Sequence, residues 1–338
     1  MTVIKTVYVT GGAGYVGSVL VPVLLRKGYR VRIVDLFLFG DRVLDEVRDH
    51  PQLEVFRGDI RDQDLLRRTI RGSDAVIHLA CIANDPSFEL NPALSRSINY
   101  DAFQPLVRIS RESGVRRFVY ASTCSVYGVS EADNVTEDHP LVPITDYNKY
   151  KGLCEPILLD YESPDFTPVI IRPATVCGYS PRQRLDLTVN ILTNHAFHNR
   201  RITVFGGVQH RPNIHIADVV DLYTSLLEMD ARLIGGRTYN AGYQNHTVSD
   251  LAAMVKEVVE KTMPDGPPVD IVTQRSDDTR SYRINSDKIR RELGFVPRRT
   301  IQDAVHDLLD AFRRNLIPNS LEDVRYYNVK TLQHAQLV

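Results

Sequence analysis

Short apolar runs alternate with amphipathic segments along the first half of the chain. The runs are rich in Val and Ile and are apolar on successive positions, which is typical of strands buried on both faces of a parallel sheet. The segments between them repeat apolar residues at helical spacing. This alternation predicts an α/β fold with a doubly wound, Rossmann-type parallel sheet. The predicted strands are 3–10, 29–35, 53–57, 74–79, 117–122, 168–172 and 237–241, and the predicted helices between them are 18–27, 63–70, 102–113, 147–159 and 217–229.

The alternation stops after residue 172. Residues 173–216 contain several Gly and Pro residues and are interpreted as loop-rich. Beyond them the pattern predicts helices at 247–260, 286–293 and 300–315 and a strand at 269–272. We therefore expect a large sheet domain of residues 1–172 that also takes 217–245. Residues 173–216 and 246–338 would form a smaller C-terminal α/β lobe that binds substrate.

A glycine-rich segment connects the first predicted strand to the first predicted helix. Its spacing is G-x-G-x-x-G, from Gly12 through Gly14 to Gly17, and Gly11 precedes it. Between a strand and a helix, this spacing lets the backbone approach a pyrophosphate at the helix N-terminus. We expect residues of this loop to bind a dinucleotide, namely Gly11, Gly14, Tyr15, Val16 and Gly17.

An acidic residue, Asp35, ends the second predicted strand. A carboxylate there hydrogen-bonds the adenosine ribose hydroxyls of NAD and repels the 2′-phosphate of NADP. The next four residues, 36–39, contain no arginine that would compensate a phosphate. The sequence therefore predicts NAD as the cofactor.

A tyrosine and a lysine four residues apart lie on one face of the predicted helix 147–159. An ammonium at Lys151, together with a positively charged nicotinamide, would favour the phenolate of Tyr147 and lower its pKa. Thr123 follows the fifth strand, at the carboxyl edge of the sheet where ligands bind. These three residues predict proton transfer coupled to hydride transfer at a carbinol carbon. Lys151 is also expected to donate a hydrogen bond to the nicotinamide ribose of the cofactor.

The composition excludes several other functions. Basic and acidic residues number 41 and 42, which gives no reason to expect binding to nucleic acid or to a membrane surface. No apolar run approaches the roughly 18–20 residues that span a bilayer. The N-terminus lacks the pattern of a signal peptide, and the four cysteines lie far apart with no histidine at zinc spacing. We expect a cytoplasmic protein with reduced cysteines and no metal site.

Taken together, these motifs resemble the extended short-chain dehydrogenase/reductase superfamily. The resemblance covers nearly the whole chain and is strongest to the nucleotide-sugar epimerase/dehydratase family typified by UDP-galactose 4-epimerase. Gly11–Gly17 resembles that family's T-G-G-x-G-x-x-G segment, 58–62 its G-D-(I/L)-x-D segment, and 78–80 its H-x-A segment. The family's signature Tyr/Lys pair matches Tyr147 and Lys151, and its catalytic Ser/Thr matches Thr123.

The resemblance implies further site residues and partners. It implies NAD contacts from Asp59, Ile60, Leu79, Ala80 and Asn99, and a homodimer formed through the helices 102–113 and 147–159. The segment 172–178 resembles the family's R-P-x-x-V-Y-G-P stretch, with Cys177 in place of the tyrosine. The segment 206–212 resembles one whose arginine contacts the substrate nucleotide or diphosphate. The implied contacts to a nucleotide-diphosphate sugar are Thr175, Arg211, Arg275 and Arg280.

The sequence departs from the dehydratases of that family directly after Thr123. They carry Asp-Glu there, whereas this chain has Cys124 and Ser125, so dehydration by a carboxylate pair is disfavoured. Cys124 is either an extra proton donor or a core residue. Ser125, and Asn84 after the fourth strand, are candidate contacts to the sugar, although Asn-Asp-Pro is also an ordinary turn.

The sequence thus favours an NAD-dependent nucleotide-sugar epimerase that works through a transient 4-keto sugar. A 4-keto-sugar reductase or a dehydratase of the same family is the alternative. A non-catalytic dinucleotide-binding regulator is a third interpretation, against which the joint presence of Thr123, Tyr147 and Lys151 argues.

Overall fold

A computed structural model describes residues 3–130, 132–276 and 281–335 of the chain. Its strands are β1 Thr6–Thr10, β2 Arg30–Asp35, β3 Leu53–Arg57, β4 Ala75–His78, β5 Arg117–Ala121, β6 Thr167–Pro173, β7 Thr175–Cys177, β8 Arg201–Phe205, β9 His210–His215, β10 Arg237–Ala241, β11 Gln244–Thr247 and β12 Asp270–Gln274. Its α-helices are α1 Gly17–Arg26, α2 Gln63–Ile70, α3 Asp85–Glu89, α4 Pro92–Arg96, α5 Phe103–Glu112, α6 Asp146–Leu159, α7 Thr188–Asn199, α8 Ile216–Glu228, α9 Ala231–Ile234, α10 Val248–Thr262, α11 Asp287–Leu293, α12 Ile301–Arg313 and α13 Asn328–His334.

Seven parallel strands form the central sheet, in the order β10-β6-β5-β4-β1-β2-β3. Successive residues of β1 face opposite sides, so that Val7 and Val9 enter one apolar core and Tyr8 enters the other. Helices cover both faces because neither face is polar. The predicted doubly wound fold is confirmed.

The strand order reverses between β1 and β4, which lie side by side although β2 and β3 come between them in the chain. Thr10 at the end of β1 is in register with Val34 of β2 and with His78 of β4. The carboxyl ends of these strands therefore open a crevice at one edge of the sheet, where ligands of such folds bind.

The remaining strands form two small sheets, β11-β9-β7 and β12-β8. A third apolar core lies among α7, α10 and α12 in this part of the molecule. Strand β10 belongs to the central sheet, where it pairs with β6. The exact boundaries of the two domains remain a prediction.

Residues 173–216 were predicted to be loop-rich, and no helix or strand was predicted there. They contain β7, α7, β8 and β9 with loops between them. Helix α7 is built from Thr, Asn and His as much as from apolar residues, so its intrinsic helix propensity is weak. Burial of Val189, Leu192 and Ala196 stabilises it instead, which a local pattern does not reveal. None of the helices in the described ranges is both long and apolar enough to cross a membrane.

Candidate active site

The glycine loop closes tightly at the end of β1. Gly11 has a φ of +74°, and a Cβ atom on it would lie 2.7 Å from the backbone nitrogen of Ala80. A Cβ on Gly17 would overlap the carbonyl oxygen of Gly11. No side chain caps the first turn of α1, where the N–H of Ser18 donates to the carbonyl oxygen of Gly14 at 2.9 Å. A backbone cradle that only glycine permits, at a helix N-terminus, fits the diphosphate of a dinucleotide.

Asp35 fixes the loop from the neighbouring strand. Its carboxylate accepts hydrogen bonds from the backbone N–H of Ala13 at 2.9 Å and of Phe37 at 2.7 Å. Burial raises the pKa of this carboxyl, although both hydrogen bonds lower it. Asp35 lines a cavity of about 110 Å³ together with Asp59, Ile60, Leu79 and Ala80. These five residues, all predicted to contact NAD, therefore share one cavity.

A larger cavity of about 450 Å³ lies beside it along the carboxyl edge of the sheet. Most residues predicted from the sequence line it, although they come from six separate segments. They are Gly11, Gly14, Tyr15, Val16, Gly17, Leu79, Asn84, Thr123, Ser125, Tyr147, Lys151, Thr175 and Arg211.

Three predicted residues lie elsewhere. Asn99 is buried behind the site, where its side-chain amide exchanges hydrogen bonds of 2.8 and 2.9 Å with the backbone of Ile82. It supports the loop after β4 and does not line either cavity. Arg275 is exposed just beyond β12 and does not line them either, because β12 pairs with β8 in a sheet of its own. Arg280 falls outside the described residues.

Lys151 is almost fully buried in the wall of the large cavity. Its ammonium donates a hydrogen bond to the carbonyl oxygen of Ala121 at 2.7 Å and lies 4.9 Å from the centre of the Tyr120 ring. The ammonium is therefore anchored to the end of β5, one turn along α6 from Tyr147.

The predicted lowering of the Tyr147 pKa includes the charge of the nicotinamide, and the protein by itself does not produce it. Burial raises the pKa of this phenol well above its ordinary value, and Cys81 and Asp85 add to the increase. Arg184 opposes them, but its effect is smaller. The desolvation of the phenolate outweighs the nearby cations, so ionisation of Tyr147 requires further positive charge at the site.

Thr123 begins a short chain of hydroxyl groups at the end of β5. Its Oγ1 lies 2.8 Å from the Oγ of Ser125, and Ser125 in turn donates to the side-chain oxygen of Asn148. Asn148 is the residue after Tyr147 on α6, whose N-cap is Thr145. This chain fixes Thr123 and Ser125 relative to Tyr147.

A buried ion pair lies directly behind these hydroxyls. Arg172 of β6 makes two hydrogen bonds, of 3.0 and 2.6 Å, to the carboxylate of Glu155 on α6. Glu155 also accepts a hydrogen bond from Ser122 at 2.6 Å. The pair therefore joins α6 to the ends of β5 and β6, which together carry the candidate catalytic residues.

Cys124 is a core residue in this structure. It is fully buried, and its thiol donates to the carbonyl oxygen of Arg172 at 2.8 Å. Burial raises the pKa of this thiol far above its ordinary value. Cys124 does not line the cavity, so its geometry supports packing rather than proton donation.

The comparisons with known proteins agree with this geometry. Residues 7–242 match the model of the NAD dependent epimerase/dehydratase family. The chain belongs to this family. NAD is accordingly its cofactor, and the protein is an enzyme rather than a non-catalytic regulator.

Relatives within the family catalyse more than one reaction. The chain is 28% identical to a UDP-glucose 4-epimerase of Rhizobium leguminosarum bv. trifolii, over 90% of this chain and 97% of that protein. It is 30% identical to a dTDP-glucose 4,6-dehydratase of Streptomyces griseus, over 88% of this chain and 90% of that protein. Among solved structures, the dTDP-glucose 4,6-dehydratase DesIV of Streptomyces venezuelae, with NAD bound, superposes with a TM-score of 0.81 at 25% identity, covering 92% of this chain and 98% of that one.

Sequence reasoning missed a set of three charged residues and one amide that line the cavity. Arg182, Arg184 and Asp186 lie in the loop before α7, and Asn328 begins α13. Arg184 pairs with Asp186 at 2.9 Å, and Asn84 donates to the same carboxylate at 3.1 Å. The sequence does show two arginines and an aspartate within five residues, which could have marked a binding segment. The neighbouring residues, however, do not indicate that this segment faces the crevice.

Proposed function

We propose that this family member is a nucleotide-sugar 4-epimerase that uses NAD and passes through a 4-keto sugar. The observation that carries the proposal is the convergence of Thr123, Tyr147 and Lys151 on one cavity with the glycine loop. The substrate would be a nucleoside-diphosphate hexose, as the names of the epimerase and dehydratase relatives suggest.

The cofactor would be held by residues whose local structure fits it. The glycine loop and the first turn of α1 would bind its diphosphate, and Asp35 its adenosine ribose. When bound, NAD supplies a hydride acceptor and a positive charge next to Tyr147.

Tyr147 would remove the proton from the O4 hydroxyl of the sugar while the hydrogen at C4 leaves as a hydride. Thr123 would orient that oxygen by a hydrogen bond, because Ser125 and Asn148 already fix its side chain. Lys151 would stabilise the phenolate from its anchored position on Ala121. Return of the proton from Tyr147 and of the hydride to the other face of the ketone completes the inversion.

The residues after Thr123 favour epimerisation over dehydration. Elimination of water from the sugar needs an acid and a base, and the positions next to Thr123 offer a buried thiol and a hydroxyl instead. The carboxylates that line the cavity already have partners in the protein: Asp186 pairs with Arg184, and Asp85 accepts a hydrogen bond from Thr145 at 2.5 Å.

The test is a panel of UDP- and dTDP-hexoses incubated with the purified protein and followed by proton NMR. We expect interconversion of C4 epimers without added NADH or NADPH. Formation of a 4-keto-6-deoxy sugar, visible by its new methyl resonance, would show a dehydratase. Conversion that consumes added reduced coenzyme in equal amount would show a reductase, and either result would contradict the proposal.

We also propose a homodimer formed through α5 and α6. Two apolar side chains of α6, those of Leu153 and Pro156, are exposed in the single chain. A second copy of the chain would cover them. Light scattering after size exclusion is expected to give twice the chain mass of 38.3 kDa.

A further inference from the structure

Arg182 is a buried cation in the part of the large cavity that the glycine loop forms. Only 3% of it is exposed, and its guanidinium lies 3.5 Å from the centre of the Phe39 ring. Its backbone N–H donates to the hydroxyl of Ser18 in α1 at 3.3 Å. The residue is thus fixed against the first turn of the helix that follows the glycine loop.

The C-terminal part of the chain orients this guanidinium. One of its terminal nitrogens donates to the side-chain oxygen of Asn328, the first residue of α13. The other atoms of Asn328 are held as well, because its backbone N–H donates to Asp186 at 3.3 Å and its side-chain nitrogen to the carbonyl oxygen of Ala83 at 3.2 Å. Asn328 therefore has one arrangement, which sets the direction of Arg182.

The charge of Arg182 is poorly compensated. Within residues 3–130, 132–276 and 281–335, its Nε has no hydrogen-bond partner and no carboxylate forms an ion pair with it. Asp35 and Asp186 act on it only at longer range, and Asp186 is already paired with Arg184. Burial and the charge of Arg184 lower the pKa of Arg182 to about 9, so it is still a cation at neutral pH. Its terminal nitrogens donate only to neutral oxygens, those of Asn328 and of the Gln183 carbonyl. A buried cation without a carboxylate partner is unfavourable unless an anion binds next to it.

We propose that Arg182 binds the diphosphate of the dinucleotide, and that Asn328 positions it for this contact. Under the proposed function two diphosphates would enter this cavity, that of NAD and that of the nucleotide sugar. The contact of Arg182 with Ser18 and Phe39, next to the glycine loop, assigns it to the diphosphate of NAD. The proposal depends on NAD binding and not on which sugar reaction the enzyme catalyses.

The experiment measures the rate at which NAD leaves the holoenzyme, by exchange with radiolabelled NAD, in the wild type and in Arg182→Gln. We expect release to be about 10- to 100-fold faster in the variant, the range for loss of a hydrogen bond to a charged group. The dissociation constant of UDP, measured on the same holoenzyme, is expected to change by less than about twofold. Unchanged NAD release would overturn the proposal, and so would weaker UDP binding without faster NAD release.

Two further variants keep the test decisive. Asn328→Ala retains the charge of Arg182 but removes its acceptor, so we expect release to be accelerated about 3- to 10-fold, the range for a single hydrogen bond. Arg325→Gln removes an exposed cation that pairs with Asp323 in the same C-terminal segment, and it is expected to leave release unchanged. If Arg182→Gln fails to fold, as shown by its circular dichroism, Asn328→Ala decides, and release at the wild-type rate in that variant overturns the proposal.

Discussion

The two halves of the large cavity are built in different ways. On one side, the glycine loop shapes the proposed cofactor half with backbone from residues that are close in sequence, and Asp35 fixes this loop from the smaller cavity beside it. On the other side, Thr123, Tyr147, Arg184 and Arg211 bring side chains from distant segments to the proposed substrate half. From this difference we expect cofactor binding to depend on the backbone space that glycine leaves. Turnover and substrate binding should depend on the chemistry of the side chains. Changes in the first half should therefore impair cofactor binding, and changes in the second should impair turnover or substrate binding.

The largest expected effect is on turnover, from Tyr147→Phe. This change removes only the oxygen that accepts the proton, so we expect kcat to fall about 1,000-fold or more while NAD stays bound. Tyr150→Phe is the matched control, because Tyr150 lies on the same helix but stacks on Phe88 outside the cavity. Steady-state kinetics and NAD content per chain are the two measurements. Near-normal turnover of Tyr147→Phe would show that another group in the substrate half accepts the proton.

The next effect is on cofactor binding, from Gly17→Ala. The added methyl group would overlap the carbonyl oxygen of Gly11, so the loop must open, and we expect the NAD dissociation constant to rise about 100-fold. Gly152→Ala in α6 places its methyl 3.5 Å or more from its neighbours and is expected to bind NAD normally. Calorimetric titration checks both variants. Normal NAD binding by Gly17→Ala would refute the role of backbone space in the cofactor half.

The third effect concerns stability in acid and comes from His78 at the end of β4. Burial, and to a lesser degree Lys151, lowers its pKa to about 3. A depressed pKa means that its contribution to stability is complete above about pH 6.5, the pKa of an unfolded histidine, and is lost as the pH falls toward the folded value.

Between pH 7 and pH 5, His78 should therefore reduce the free energy of unfolding by about 2 kcal/mol. Urea denaturation at the two pH values measures this loss of unfolding free energy, and we expect it to be smaller by that amount in His78→Asn. The control His306→Asn changes an exposed histidine and should lose as much unfolding free energy as the wild type. Equal losses in all three proteins would show that His78 is not kept neutral by burial.

The smallest effect separates two arginines that the sequence treats alike. Arg211 lines the cavity and Arg275 does not, so Arg211→Gln is expected to raise the KM for the nucleotide sugar about 10-fold and Arg275→Gln to leave it unchanged. Initial rates over a range of substrate concentrations give both values. A larger effect at Arg275 would place the substrate outside the cavity described.

The sequence predicted the cofactor half more fully than the substrate half, for a physical reason. Gly11, Gly17 and Asp35 act through local geometry, and that geometry follows from strand, turn and helix patterns along the chain. In the substrate half, Asn84 and Asp186 meet across 102 positions of sequence, and no periodicity indicates such a contact. Helix α7 was missed for the same reason, since tertiary burial rather than helix propensity stabilises it.

The pKa of Tyr147 shows another limit of sequence reasoning. The spacing of Tyr147 and Lys151 on one helical face is visible in the sequence, but the desolvation that dominates the pKa depends on everything packed around the phenol. A motif therefore identifies the group that exchanges the proton. The pKa of that group depends on the folded protein and its cofactor and does not follow from the motif.

The most direct test of the central claim follows the hydrogen at C4 of the sugar. A nucleotide sugar identified in the panel above, carrying deuterium at C4, is converted by the enzyme without added coenzyme and analysed by NMR and mass spectrometry. If Tyr147 and bound NAD remove and return hydrogen at one carbon, the product epimer retains the deuterium at C4. Loss of the deuterium to water, or its appearance in coenzyme released to solution, would contradict the account.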